Sequence, residues 1–79
     1  MSVKYTKKQG QYLAFIYYYT KVNGRAPSQA DIQDYFAVSP PTVHQMLLKL
    51  EEQGLLKREP GASRAIRVLI GAEELPVDW

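Results

Sequence analysis

The chain contains no cysteine, which excludes a disulfide framework, a thiolate metal site and a cysteine nucleophile. It has a single histidine, His44, and one imidazole without a clustered thiolate or carboxylate partner makes no recognisable metal site. Long hydrophobic runs are also missing. The longest apolar stretch, Tyr12 to Tyr19, is too short to span a bilayer, and no signal-peptide pattern opens the chain. Nor is there a nucleophile–base pair or a glycine loop that would cradle a phosphate. These absences argue against an enzyme and against any cofactor, membrane or small-molecule partner, and the chain is expected to be cytoplasmic.

Charge of one sign is scarce in total but not locally. The net charge is only +2, too small by itself to suggest a polyanionic partner. Residues 1–30, however, hold Lys4, Lys7, Lys8, Lys21 and Arg25 and no acid. Residues 31–56 set Lys49 against Asp31, Asp34, Glu51 and Glu52. Residues 57–70 turn basic again with Lys57, Arg58, Arg64 and Arg67 against Glu59, and the last nine residues carry Glu73, Glu74 and Asp78 without a base. Two basic stretches flanking an acidic middle form one positive face if the fold brings them together.

Seventy-nine residues leave room for one small domain, here 1–70, with 71–79 as an acidic tail lacking any pattern. Thr6-Lys7-Lys8-Gln9 has the capping-box spacing, so a helix is expected from Lys7 to Val22, stopping before Asn23-Gly24. Tyr12, Leu13, Ile16 and Tyr19 or Thr20 form its apolar stripe. Gly10 inside it points to a close packing contact, because glycine there costs about 1 kcal/mol relative to alanine. Ser28-Gln29-Ala30-Asp31 is a second capping signature, with Asp31 as a capping acid, opening a short helix that ends near Phe36. Ala37-Val38 turns into Ser39-Pro40-Pro41, where a third helix begins. Pro41 biases Pro40 away from helical angles, which favours Pro41 as the first helical residue. That helix carries Val43, Met46, Leu47 and Leu50 at helical spacing and ends at Gln53-Gly54. The period then changes. Residues 55–59 and 64–70 read as strands, the second alternating Ile66, Val68 and Ile70, joined by a type II turn at Glu59-Pro60-Gly61-Ala62.

The fold class this order implies is mainly α (α+β): a three-helix winged helix-turn-helix with a C-terminal two-stranded β-hairpin wing. In helix-turn-helix proteins the second helix of the motif, here about 40–53, enters the major groove of DNA. Its core stripe leaves Thr42, His44, Gln45 and Lys49 pointing outward. Pro41, Thr42, His44 and Gln45 are therefore the candidate base contacts, and Gln45 can pair bidentately with adenine. The candidate backbone or wing contacts are Lys4, Thr6, Lys7, Gln29, Ser39, Lys49, Ser63, Arg64 and Arg67.

Three stretches carry a family resemblance: Thr6-Lys7-Lys8-Gln9, Gly24 through Ile32, and Gly61-Ala62-Ser63-Arg64-Ala65-Ile66-Arg67. On these the chain resembles the N-terminal DNA-binding domain of LexA repressors from Tyr5 to Leu69. The last stretch is close to that family's wing sequence Gly-Ala-Ser-Arg-Gly-Ile-Arg. The segment from Ser39 to Leu56 also resembles other winged-helix repressors, including the MarR and iron-dependent regulator families. The resemblance implies a double-stranded DNA partner and repression by occupancy. Where LexA shows Ser-Pro-Asn-Ala-Ala-Glu-Glu, this chain has Ser39-Pro40-Pro41-Thr42-Val43-His44-Gln45, and the turn before the third helix is one residue shorter. The docking mode therefore carries over and the operator sequence does not. LexA repressors continue into a self-cleaving domain that also dimerises them; taken as a full protein, this chain is expected neither to cleave itself nor to dimerise that way.

Tyr17-Tyr18-Tyr19 cannot all face one core at 100° per residue. Tyr17 and Tyr18 are accordingly candidates for a protein interface, a homodimer on DNA included, or for aromatic rings lying flat on the surface. A winged-helix protein-interaction module, an adaptor or antirepressor working through these tyrosines, stays open as the alternative function.

Overall fold

The computed structural model describes residues 5–58 and 66–76. Three helices, α1 (Lys7–Asn23), α2 (Gln29–Phe36) and α3 (Pro40–Glu52), precede two short strands, β1 (Leu56–Arg58) and β2 (Ile66–Val68), and a closing 3-10 turn, Ala72–Glu74. The strands pair antiparallel with Leu56 opposite Val68, Lys57 opposite Arg67 and Arg58 opposite Ile66. This is the expected winged-helix order.

Helix α1 starts where its capping box requires. The Thr6 hydroxyl accepts from the Gln9 amide at 3.1 Å, and the Gln9 side chain accepts from the Thr6 amide at 2.9 Å. At the other end Gly24 takes the left-handed conformation, φ 74°, and its amide donates to the Thr20 carbonyl. Asn23 is the last helical residue rather than the first beyond it, because its side-chain amide donates to the Tyr19 carbonyl and completes the final turn. The expected close contact at Gly10 is present: a Cβ there would lie 2.6 Å from a ring carbon of Tyr5. The buried part of α1 is wider than the expected stripe and takes in Gln9, Ala14 and Phe15. Phe15 stacks on Tyr35 and Tyr12 stacks on Phe36, with ring centroids 4.3 and 4.2 Å apart, and this aromatic layer joins α1 to α2.

Helix α2 closes a second capping box between Ser28 and Asp31 and ends at Ala37, which adopts the left-handed conformation at φ 55°. Helix α3 corrects one expectation: its first helical residue is Pro40, not Pro41. The restriction that proline places on its predecessor is a bias. Here the Ser39 carbonyl accepts from both Thr42 and Val43, which draws Pro40 into the first turn. Val43, Leu47 and Leu50 of α3 are fully buried and meet Leu13, Ile16 and Ile32 in one core, to which the hairpin adds Leu56 and Ile66.

Among the described residues regular pairing spans 56–58 and 66–68, so that residues 55, 69 and 70, expected in the strands, lie outside it. The alternation is nonetheless as read, with Ile66 buried, Arg67 exposed and Val68 half-buried. The expected turn at Glu59-Pro60-Gly61-Ala62 lies outside the described residues. The segment read as patternless packs onto the domain within its described residues, 71–76. Leu75 buries in the core, and the Tyr5 hydroxyl donates to the Glu74 carbonyl. One leucine is enough to dock a short segment when a pocket awaits it, and a single apolar residue leaves no periodic signal.

Candidate nucleic-acid interface

The surface begins with the two-sidedness of α3. Spacing of i, i+4 and i+7 turns Val43, Leu47 and Leu50 inward, and the same geometry turns Pro41, Thr42, His44, Gln45 and Lys49 out to solvent. Leu48 is exposed on the same helix, and sequence reasoning did not single it out. The start of α3 is unlike that of the other helices. Ser39 makes no side-chain cap bond; its hydroxyl instead pairs with the Thr42 hydroxyl at 2.9 Å. Pro40 and Pro41 have no backbone N–H, so the first turn presents an apolar edge rather than a row of donors.

The beginning of α1 lies against this exposed stripe. Thr6 and Gln9 from α1, with Thr42, Gln45, Met46 and Lys49 from α3, line a shallow depression of about 370 Å³. Four of the sequence-derived candidates are thereby brought together: Thr6, Thr42, Gln45 and Lys49. Gln9 was read only as a cap, and its role here was missed. It is 4% exposed, and its Nε2 donates to Oε1 of Gln53 at 2.9 Å, joining the start of α1 to the end of α3. Lys7 is exposed beside the cap, and Gln29 is half-buried in the first turn of α2.

The hairpin presents a separate cationic face. Lys57 and Arg67 are directly opposed across the strands and both are exposed. Like charges in that relation repel, so the pair is a cost to the fold unless an anion meets it. Lys57 was counted in the basic stretch of the hairpin but not among the candidate contacts, although strand alternation places it on the Arg67 face. Arg67 also lines a second depression of about 360 Å³ with Tyr17, Thr20, Lys21, Ile66 and Val68, so it does not share the α1–α3 depression. Lys4, Ser63 and Arg64 lie outside the described residues.

The tyrosine run divides as its geometry demands. Tyr17 and Tyr19 are half-buried against the core, and Tyr18 is 40% exposed with its ring edge-on to Tyr17 at 5.0 Å. The Tyr19 hydroxyl donates to Asp31, whose carboxylate also accepts from the Ser28 amide, which makes Asp31 a capping acid. Burial raises the Tyr12 phenol above its ordinary pKa, so it stays a neutral core group.

Residues 4–62 match the family described as iron dependent repressor, N-terminal DNA binding domain. The chain belongs to this family. The curated relatives it resembles are LexA repressors: that of Thermosipho melanesiensis is 36% identical over 72 residues, covering 91% of this chain and 36% of the relative. The LexA repressor of Petrotoga mobilis is 39% identical over 71 residues, 89% of this chain and 34% of its own length. That of Syntrophomonas wolfei is 42% identical over 65 residues, 81% of this chain and 32% of the relative. The chain thus spans about a third of the length of the curated relatives it matches. The iron in the family's description finds no donor set among the described residues. Among the described residues no three His, Asp or Glu side chains cluster, and the chain has no cysteine. No described helix is long and apolar enough to cross a membrane.

Proposed function

We propose that the chain reads double-stranded DNA sequence-specifically and represses by occupying its site. The observation that supports this most is the exposed stripe of α3, Thr42, Gln45 and Lys49, running beside the capped start of α1 in a domain of a DNA-binding repressor family. With α3 in the major groove, Gln45 suits adenine, His44 an acceptor on a base or phosphate, and the apolar edge of Pro41 and Thr42 a thymine methyl. Because Pro40 and Pro41 withhold two backbone donors, phosphate contacts fall to Thr6, Lys7 and Lys49 and to the opposed Lys57–Arg67 pair of the wing. Lys4, Gln29, Ser39, Ser63 and Arg64 complete the proposed backbone set. Occupancy as a homodimer, and residence in the cytoplasm, belong to the same proposal.

Selection of bound sequences from a random duplex library tests it. The expected result is an enriched site whose half-site spacing, if palindromic, gives a dimer on DNA. Affinity should fall steeply with salt, and Arg67→Ala should weaken all duplexes alike while lowering the salt slope by about one. The protein-interaction reading has one observation in its favour, the exposed Tyr18 held against Tyr17. No enrichment, together with a partner protein lost on Tyr18→Ala, would favour that reading instead.

A further inference from the structure

Gln9 is the one non-aromatic polar side chain among the described buried residues, and both ends of its amide are engaged. Its Oε1 accepts from the Thr6 amide, and its Nε2 donates to Gln53 at the far end of α3. The amide cannot be turned over, because the Thr6 N–H needs an acceptor and only Oε1 supplies one. The bond joins residues 44 positions apart in the chain. Helices α1 and α3 are not among the elements whose backbones run closest, unlike α2 with α3 or α1 with β2. Side chains, not backbone packing, therefore fix how the start of α1 sits along the exposed stripe of α3.

We infer that Gln9, through its bond to Gln53, is a positioning residue for operator discrimination: it sets the register between the phosphate-facing start of α1 and the base-facing side of α3. This rests on the DNA-reading proposal above. A protein that grips phosphates at one place and bases at another discriminates only if the two are held at the spacing the duplex dictates. A duplex of arbitrary sequence, held by phosphates alone, makes no such demand. The bond should therefore matter to the ratio of operator to random-duplex affinity and little to random-duplex affinity itself.

Gln53 is exposed, so its substitutions should leave the fold intact, which thermal unfolding checks. Gln53→Lys sets a donor against the Gln9 donor and breaks the bond; Gln53→Glu keeps an acceptor. The probes are the duplex enriched in the library selection and a shuffled duplex of equal length. The expected result is a roughly fivefold fall in the affinity ratio for Gln53→Lys, the scale of one net hydrogen bond, with Gln53→Glu within twofold of the parent. Charge alone gives a different outcome, since an added lysine tightens and an added glutamate loosens both duplexes and leaves the ratio unchanged. An unchanged ratio in Gln53→Lys, or an equal fall in both variants, overturns the inference while leaving DNA reading intact. Failure to enrich any duplex overturns the DNA-reading proposal and this inference with it.

Discussion

The two connections between helices are built to different standards. Between α1 and α2 the chain leaves one helix through Gly24, at φ 74°, and enters the next through a complete Ser28–Asp31 capping box. Between α2 and α3 it turns on Ala37, a non-glycine residue at φ 55°, and enters through Ser39, whose side chain makes no cap bond. The first connection satisfies its backbone groups with the residues best suited to do so. The second is only three residues long and carries a side chain where glycine would be cheaper. The second turn thus holds a left-handed non-glycine residue and an uncapped entry at the point that sets α3, whose exposed stripe carries the proposed base contacts.

Substitutions that exchange these features should break the contrast. The largest effect is expected from removing the box at α2. Ser28→Ala with Asp31→Ala eliminates both cap bonds and the Tyr19–Asp31 hydrogen bond, and should cost about 2–3 kcal/mol of unfolding free energy in urea titration. Ala37→Gly should act in the opposite direction, gaining about 1 kcal/mol by relieving the left-handed strain. An operator affinity left unchanged by Ala37→Gly would mean that the turn's conformation, not its side chain, is what matters. Ser39→Ala should be the smallest, within about 0.5 kcal/mol, because it removes only an exposed hydroxyl pair with Thr42 and no cap bond. A loss as large as at Ser28 would erase the contrast altogether.

The legible parts of the fold were those written in local chemistry. Thr6 with Gln9 and Ser28 with Asp31 announce their helices because a cap needs particular side chains at particular spacing. Gly10 announced a close approach because a helix seldom tolerates a glycine without one. The start of α3 was misplaced by one residue because two consecutive prolines give opposed local signals, resolved by the double acceptance of the Ser39 carbonyl. Leu75 and the Gln9–Gln53 bond were not legible, since each depends on a partner far away in the chain and neither leaves a periodic trace. The exposed stripe of α3 followed from helical spacing alone. What spacing could not reveal was the company it keeps: Thr6 and Gln9 beside Gln45 and Lys49, with Arg67 in a different depression.

Whether the outer stripe of α3 reads bases is decided by the affinity of Gln45→Ala for the selected duplex and for each of its single-base-pair variants. Thermal stability should be unchanged and discrimination relaxed by about 1–3 kcal/mol at one position, with the others preserved. A uniform loss across all duplexes, or discrimination retained at every position, would contradict base reading by this stripe.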